Sequence, residues 1–217
     1  EAAKDVAAEF INGRPNDNIG ITLFAGETFT QCPLTVDHAV LLDMIHNIKC
    51  GLIEDGTAVG MGIANAVTRL KDSKAKSKVI ILLTDGTNNK GDISPLTAAE
   101  IAKSFGIRVY TIGVGTNGMA PYPYPVGNTV QYVNMPVEID EKTLTQIAGT
   151  TDGNYFRATS NSKLKEVYEE IDKLEKTKLN VKEYSKRDEE YQWFALAAFL
   201  CVLLEVLLRN SILKKIP

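Results

Sequence analysis

Asp85 is the residue whose type and position best suit chemistry on a ligand or a metal ion. It ends the apolar run of KVIILLTDG, which occupies positions 78–86. A run of this kind predicts a strand that is buried on both faces of a parallel sheet. In open α/β sheets, ligands bind outside the carboxyl ends of the strands, where Asp85 lies. The alternative is that Asp85 only caps the following loop or helix.

Thr57 is the second candidate, because its loop should reach the same edge of the sheet. It ends the segment Glu-Asp-Gly-Thr at positions 54–57, which leads into a predicted helix. A hydroxyl beside a carboxylate offers hard oxygen ligands, which suit Mg²⁺, Mn²⁺ or Ca²⁺. The simpler alternative is that Thr57 is the N-cap of that helix. Thr57 and Asp85 are therefore our candidate metal ligands, and their positions alone leave both explanations open.

We identify no catalytic residues. The two histidines, His38 and His46, lie on one predicted helix that is remote from Asp85. A phosphoacceptor domain would need a lysine after the strand predicted at 107–114, and none follows it. No G-x-G-x-x-G sequence follows a strand and opens a helix, so dinucleotide binding is not indicated.

Strands alternate with amphipathic helices through the first 175 residues. The apolar patterns predict strands at 19–25, 29–34, 79–83, 107–114 and 155–158. They predict helices at 3–11, after Asp37, at 59–70, after Ser94, after Asp140 and at 164–174. The segment 115–137 should be a loop with a small hairpin around 126–133. The alternation predicts an α/β fold with a doubly wound, mostly parallel sheet and helices on both faces, in which Ile80, Ile81 and Leu82 are fully buried.

Composition is that of an ordinary globular chain. The 217 residues are 44% hydrophobic and 24% charged, with a net charge of -3. This balance gives no indication of nucleic-acid binding. The three cysteines, Cys32, Cys50 and Cys201, do not form a disulfide framework.

The C-terminal part differs in composition from the rest. Positions 176–190 are densely charged and predict a linker. Positions 193–208 are apolar apart from Glu205, and we predict a transmembrane helix over 191–213, followed by a basic tail at 214–217. The alternative is a helix buried in an oligomer.

Four stretches carry a resemblance to a known family. They are ITLFAGETFTQCPLTVDH, DGTAVGMGIANA, IILLTDGTNNKGD and MPVEIDEKTLTQIA. They resemble von Willebrand factor type A (VWA) domains, and in particular the membrane proteins of the bacterial Bat (aerotolerance) family. The resemblance covers 1–175 and implies a metal-ion-dependent adhesion site built from three loops. Thr57 and Asp85 match the second and third loops, whereas we expect the first loop, Asp-x-Ser-x-Ser, and the central strand before it to precede Glu1.

The resemblance also implies a function. An acidic side chain of a partner protein would complete the metal coordination, and the partners would include sister VWA proteins and a MoxR-type AAA+ ATPase. The protein would lie in the inner membrane with its VWA domain in the periplasm and serve in a stress-related envelope complex, without enzymatic activity. Two alternatives stay open: a structural membrane protein with a degenerate site that binds no metal, and an enzyme or phosphoacceptor domain.

Overall fold

A computed structural model describes residues 2–49, 51, 54–115, 118–126, 129–137, 139–185 and 191–211. The helices are α1 (Ala2–Asn12), α2 (His38–His46), α3 (Val59–Leu70), α4 (Pro95–Ser104), α5 (Glu141–Thr150), α6 (Asn161–Ser185) and α7 (Tyr191–Ser211). The strands are β1 (Ile19–Phe24), β2 (Thr28–Thr35), β3 (Val79–Thr84), β4 (Arg108–Val114), β5 (Gly118–Val126), β6 (Thr129–Val137) and β7 (Tyr155–Ala158). The chain forms two compact units, Glu1–Glu175 and Lys176–Pro217.

The predicted parallel sheet is confirmed for three strands. β3, β4 and β7 pair in that order and in parallel, with Thr84 opposite Gly113 and Gly113 opposite Arg157. β1 and β2 form a separate antiparallel pair, because the turn between them is far too short for a parallel crossover. Within the described residues no hydrogen-bonded ladder joins β1 to β3, so the single, mostly parallel sheet that we predicted is found in separate parts.

Helices cover both faces of the parallel sheet, as the alternation predicts. On one face, α3, α4 and α5 bury residues such as Ile63, Ala98 and Ile147 against β3 and β4. On the other face, α1 and α6 contribute residues such as Val6 and Ile171 to a second cluster. The two layers follow from the period of each helix, which gathers its apolar residues on one side.

The strand-centre prediction needs one correction. Ile80 and Leu82 are buried on the face of α3, but Ile81 is only partly buried. Successive side chains of a strand point to opposite faces. Ile81 therefore points with Val79 and Leu83 toward the cluster of α1 and α6, where the cover is less complete.

The segment after β4 was wrongly predicted to be mainly loop. β5 and β6 form an antiparallel hairpin of nine residues a strand, in which Pro121, Pro123 and Pro125 pair with Asn134, Tyr132 and Val130. Prolines usually exclude a segment from a sheet because they lack a donor. Here they recur at every second position, so the residues between them still carry N–H groups on one side of the strand.

The predicted helix starts are confirmed by their capping bonds. The Asp37 carboxylate accepts from the Val40 N–H at 3.2 Å, at the start of α2. Ser94 accepts from the Thr97 N–H at 3.1 Å, at the start of α4. Asp140 accepts from the backbone and the hydroxyl of Thr143 at the start of α5, and these bonds hold the pKa of Asp140 below its usual value.

A buried polar cluster lies at the amino edge of the parallel sheet. Glu175 of α6, only 5% exposed, forms an ion pair with Arg108. It also accepts from the Tyr110 hydroxyl at 2.6 Å and the Ser77 hydroxyl at 2.8 Å. Burial alone raises the pKa of Glu175, but the three donors and the charge of Arg108 outweigh it, so the pKa lies below its usual value. Burial, together with Glu175, raises the pKa of Tyr110.

The C-terminal part is more helical than we predicted. α6 continues to Ser185, so most of the charged stretch taken for a linker is helical, and α7 begins at Tyr191. α7 exposes apolar side chains including Leu196, Phe199 and Val202. Among the residues described, no helix combines the length and the apolar character that crossing a membrane requires. The transmembrane span that we predicted over 191–213 is therefore not found among the described residues, and positions 212–217, which include the predicted basic tail, lie outside them.

Candidate metal centre

Asp85 and Thr57 are not helix caps, which removes the simpler explanation for each. Helix α3 begins at Val59, and Ala58 holds its cap position without a side-chain hydrogen bond. The helix that follows Asp85 is α4, and its cap is Ser94. Both candidate residues therefore lie in loops, one leading into α3 and the other leaving the carboxyl end of β3.

The structure brings the two loops into contact. A Cβ atom placed on Gly86 would lie 3.1 Å from the Thr57 hydroxyl oxygen. This separation is tighter than an ordinary van der Waals contact, so glycine at position 86 makes room for Thr57. Since Gly86 follows Asp85 directly, the Thr57 hydroxyl lies beside the residue that bears the candidate carboxylate.

Backbone and amide groups join the same two loops. The Thr57 N–H donates to the side-chain oxygen of Asn89 at 2.8 Å, and the Asn89 N–H donates to the Thr57 carbonyl at 3.0 Å. The Lys90 N–H donates to the same carbonyl at 3.3 Å. Farther along, the Gly60 N–H points to the side-chain oxygen of Asn88 at 3.5 Å. The bonds of Asn89 and Lys90 to Thr57 fix its loop against the loop of Asp85.

The turn after β1 supports the Thr57 loop from its other side. The Gly26 N–H donates to the Glu54 carbonyl at 2.8 Å, and the Ala58 N–H donates to the Ala25 carbonyl at 2.7 Å. A Cβ on Gly26 would lie 2.8 Å from the Glu54 carbonyl oxygen, so a larger residue would push the loop away. The carboxyl end of β1 therefore shares this edge with the carboxyl end of β3.

The candidate ligands are accessible and free to bind. Asp85 is exposed and Thr57 is half-buried. Among the residues that the structure describes, neither the Asp85 carboxylate nor the Thr57 hydroxyl makes a hydrogen bond or an ion pair. The nearby ion pair of Lys90 with Glu54, at 3.6 Å, is exposed and contributes little to stability.

The chemical types of the two candidate ligands suit a hard divalent cation. A threonine hydroxyl and a carboxylate are oxygen ligands of the type that Mg²⁺ and Mn²⁺ prefer. Within the described ranges, no group of three or more His, Cys, Asp or Glu side chains is placed to hold a metal ion. Thr57 and Asp85 would supply two ligands of such a cation, and water or further protein oxygens would supply the others.

Sequence reasoning missed the residues that hold the site together. Asn89 follows Asp85 closely, but asparagine is common in any turn, and nothing in the sequence shows that it reaches a residue 32 positions away. Gly26 carried a signal, since a glycine directly after a predicted strand often marks a close approach of backbones. Its contact partner could not be inferred from that signal.

Comparison with known proteins defines the family. The model of the von Willebrand factor type A domain matches residues 1–170. The chain therefore belongs to the von Willebrand factor type A domain family. Solved structures of Bat and aerotolerance-related proteins are among those similar to this chain.

Two of those structures come from Bacteroides. An aerotolerance-related membrane protein from Bacteroides fragilis is 29% identical, with a TM-score of 0.69, over 80% of this chain and 86% of that one. A hypothetical protein called BatB from Bacteroides thetaiotaomicron is 32% identical, with a TM-score of 0.69, over 80% of this chain and 87% of that one. Proximal thread matrix protein 1 of the mussel byssus, with zinc in its MIDAS motif, is 25% identical, with a TM-score of 0.60, over 80% of this chain and 39% of that one.

The curated relatives are longer than this chain. An uncharacterized protein from Borreliella burgdorferi is 26% identical over 217 residues, and the match takes in 100% of this chain but 64% of that protein. A UPF0353 protein from Nocardia farcinica is 30% identical over 190 residues, which cover 79% of this chain and 55% of that protein. The chain thus spans roughly half to two-thirds of the relatives it matches.

Proposed function

We propose that this domain binds other proteins in a manner that depends on a divalent cation held in part by Thr57 and Asp85. The single observation that carries the proposal is the placement of the Thr57 hydroxyl against Gly86, next to an exposed Asp85. Membership of the VWA family supports the proposal, and so does the zinc in the MIDAS motif of the mussel protein. We propose Mg²⁺ as the physiological ion, with Mn²⁺ or Ca²⁺ as substitutes.

The residues of this chain would act by holding and orienting, without catalysing a reaction. Asp85 would supply a negative charge and Thr57 a neutral oxygen at the carboxyl edge of the sheet. When bound, the cation offers a coordination position that an acidic side chain of a partner protein can fill. Because few charges of this chain neutralise the ion, the partner's carboxylate would contribute a large part of the attraction. Sister VWA proteins and a MoxR-type AAA+ ATPase are the partners that we propose.

The proposal is tested with the full-length protein and the variant Asp85→Ala. Wild-type protein, immobilised and exposed to an envelope extract from its own organism, should retain partners in the presence of Mg²⁺ and release them with EDTA. Asp85→Ala should retain none under either condition. Its free energy of unfolding should change by less than about 0.5 kcal/mol, since the side chain is exposed.

Asp92→Ala is the matched control, because Asp92 is an exposed aspartate in the same loop. It should bind partners as the wild type does. Retention that is indifferent to both EDTA and Asp85→Ala would contradict the proposal. It would favour the alternative of a structural protein with a degenerate site.

We further propose that the intact protein is associated with the inner membrane and that its VWA domain lies in the periplasm. Two observations support association with a membrane. The Bacteroides fragilis relative is described as a membrane protein. The helix α7 exposes large apolar side chains, among them Leu196, Phe199 and Leu204. The periplasmic placement follows from the resemblance to Bat proteins, and it is tested by the fractionation described below.

A further inference from the structure

We infer that Asn89 is a positioning residue of this site, which holds Thr57 in the orientation needed to bind the cation. The inference rests on the proposed function and names a residue that the motif of the family does not include. Asn89 would not touch the cation itself. It would act through the backbone of Thr57, which it contacts on both sides.

Asn89 bonds both backbone groups of Thr57. Its side-chain oxygen accepts from the Thr57 N–H at 2.8 Å, and its own N–H donates to the Thr57 carbonyl at 3.0 Å. The pair resembles one rung of an antiparallel ladder, with a side chain in place of one backbone carbonyl. Bonds at both groups restrict the φ and ψ angles of Thr57, and so fix the direction of its Cα–Cβ bond.

Thr57 needs such support because its loop has no regular secondary structure to hold it. Thr57 lies outside every helix and strand, two positions before α3 begins. It follows Gly56, whose φ of 141° lies in a region that other residues rarely adopt. A chain that turns through glycine is free to move unless contacts from elsewhere fix it. The Asn89 amide oxygen also lies 3.4 Å from the position of a Cβ on Gly56, so it supports both residues.

Asn88 is an internal control for Asn89. It has the same side chain and the neighbouring position, but its amide oxygen faces the Gly60 N–H at 3.5 Å, which is the limit of a hydrogen bond. Gly60 lies in the first turn of α3, where N–H groups have no partner within the helix, so this contact bears on the start of the helix and not on Thr57. Loss of the Asn88 side chain should therefore leave Thr57 in place.

The experiment measures Mn²⁺ binding to the full-length protein by the loss of the free-ion signal in electron paramagnetic resonance. Asn89→Ala should weaken the affinity about three- to tenfold, which is the usual effect of one lost hydrogen bond. Asn89→Asp keeps the acceptor and adds negative charge, so its affinity should equal or exceed that of the wild type. Asn88→Ala should bind within about twofold of the wild type.

A second background separates positioning from a general effect on folding. In a Thr57→Ala protein the hydroxyl is absent, so adding Asn89→Ala should cause no further loss of affinity. An equal loss in both backgrounds would overturn the inference, and so would an Asn89→Ala affinity equal to that of the wild type. Thermal unfolding of each variant identifies any that fails to fold, and the double-variant comparison still decides the case.

The outcomes also distinguish this inference from the proposed function. If the wild type binds no Mn²⁺, the proposed function fails and this inference falls with it. If the wild type binds Mn²⁺ and loses it in Asp85→Ala but not in Asn89→Ala, only the role of Asn89 is refuted.

Discussion

Replacing Glu175 by glutamine tests whether the polar cluster at the amino edge of the sheet stabilises the domain. The change keeps the volume of the side chain but removes its charge and one of its acceptor oxygens. Glu175 accepts from Arg108, Tyr110 and Ser77, and its side chain is 6% exposed. A net hydrogen bond contributes about 1 kcal/mol, and one to a charged group about 1.5–3 kcal/mol. We therefore expect Glu175→Gln to lower the free energy of unfolding by about 2–3 kcal/mol.

The pH dependence of this loss gives a sharper test. The pKa of Glu175 is lower in the folded protein than its usual value, because the three donors and Arg108 favour the carboxylate. A carboxyl group of this kind stabilises the fold fully above its unfolded pKa of about 4.3. That contribution is lost as the pH falls toward the folded pKa. The difference in stability between wild type and Glu175→Gln should therefore be constant above about pH 6 and shrink below about pH 4.3.

Urea unfolding followed by far-ultraviolet circular dichroism provides the measurement. With a slope of about 2–3 kcal/mol per molar urea, a change of this size moves the midpoint by about 1 M. Glu170→Gln is the control, since Glu170 lies exposed on the same helix. Equal midpoints for wild type and Glu175→Gln at pH 7 would refute the reasoning. A difference that stays the same down to pH 3 would show that the charge of Glu175 is not its source.

Two further predictions follow from glycine packing and from the proposed location. Gly60→Ala should lower the free energy of unfolding by about 1–3 kcal/mol in urea titrations, because its Cβ would lie 2.0 Å from the Ile93 carbonyl oxygen. Gly149→Ala, in α5 with open space around it, should be neutral or stabilising, and equal effects of the two would contradict this account of packing. In cells, the full-length protein should sediment with membranes, and protease added to spheroplasts should degrade its VWA domain. Recovery of the protein in the soluble fraction would refute its association with the membrane. Protection of the VWA domain from protease until the inner membrane is lysed would refute its placement in the periplasm.

Local patterns in the sequence determined most of the elements. The run from Val79 to Leu83 is a strand because β-branched and leucine residues without a polar face must be covered on both sides. Asp37, Ser94 and Asp140 cap helices because their short side chains reach N–H groups three residues ahead. These interactions lie within a few positions of one another, so the sequence alone contains the information needed to predict them.

The sequence failed where the partners of a segment lie far along the chain or where one rule opposes another. The hairpin of β5 and β6 was predicted too short because proline usually breaks a strand, yet its prolines recur at alternate positions that leave the ladder intact. Nothing in the sequence distinguishes Glu175 from the other charged residues of α6. Only the packing of α6 against Arg108 and Tyr110 makes it a buried carboxylate.

For the candidate metal centre too, some features could be predicted from the sequence and others required the tertiary structure. The sequence indicated Thr57 and Asp85 as candidates through their positions at strand ends and glycine turns together with the resemblance to VWA domains. Tertiary structure decided that Gly86 admits the Thr57 hydroxyl and that Asn89 holds its backbone. The reason is physical: a strand end fixes the edge on which a residue lies, but the contacts between two loops depend on how the strands and helices that carry them pack together.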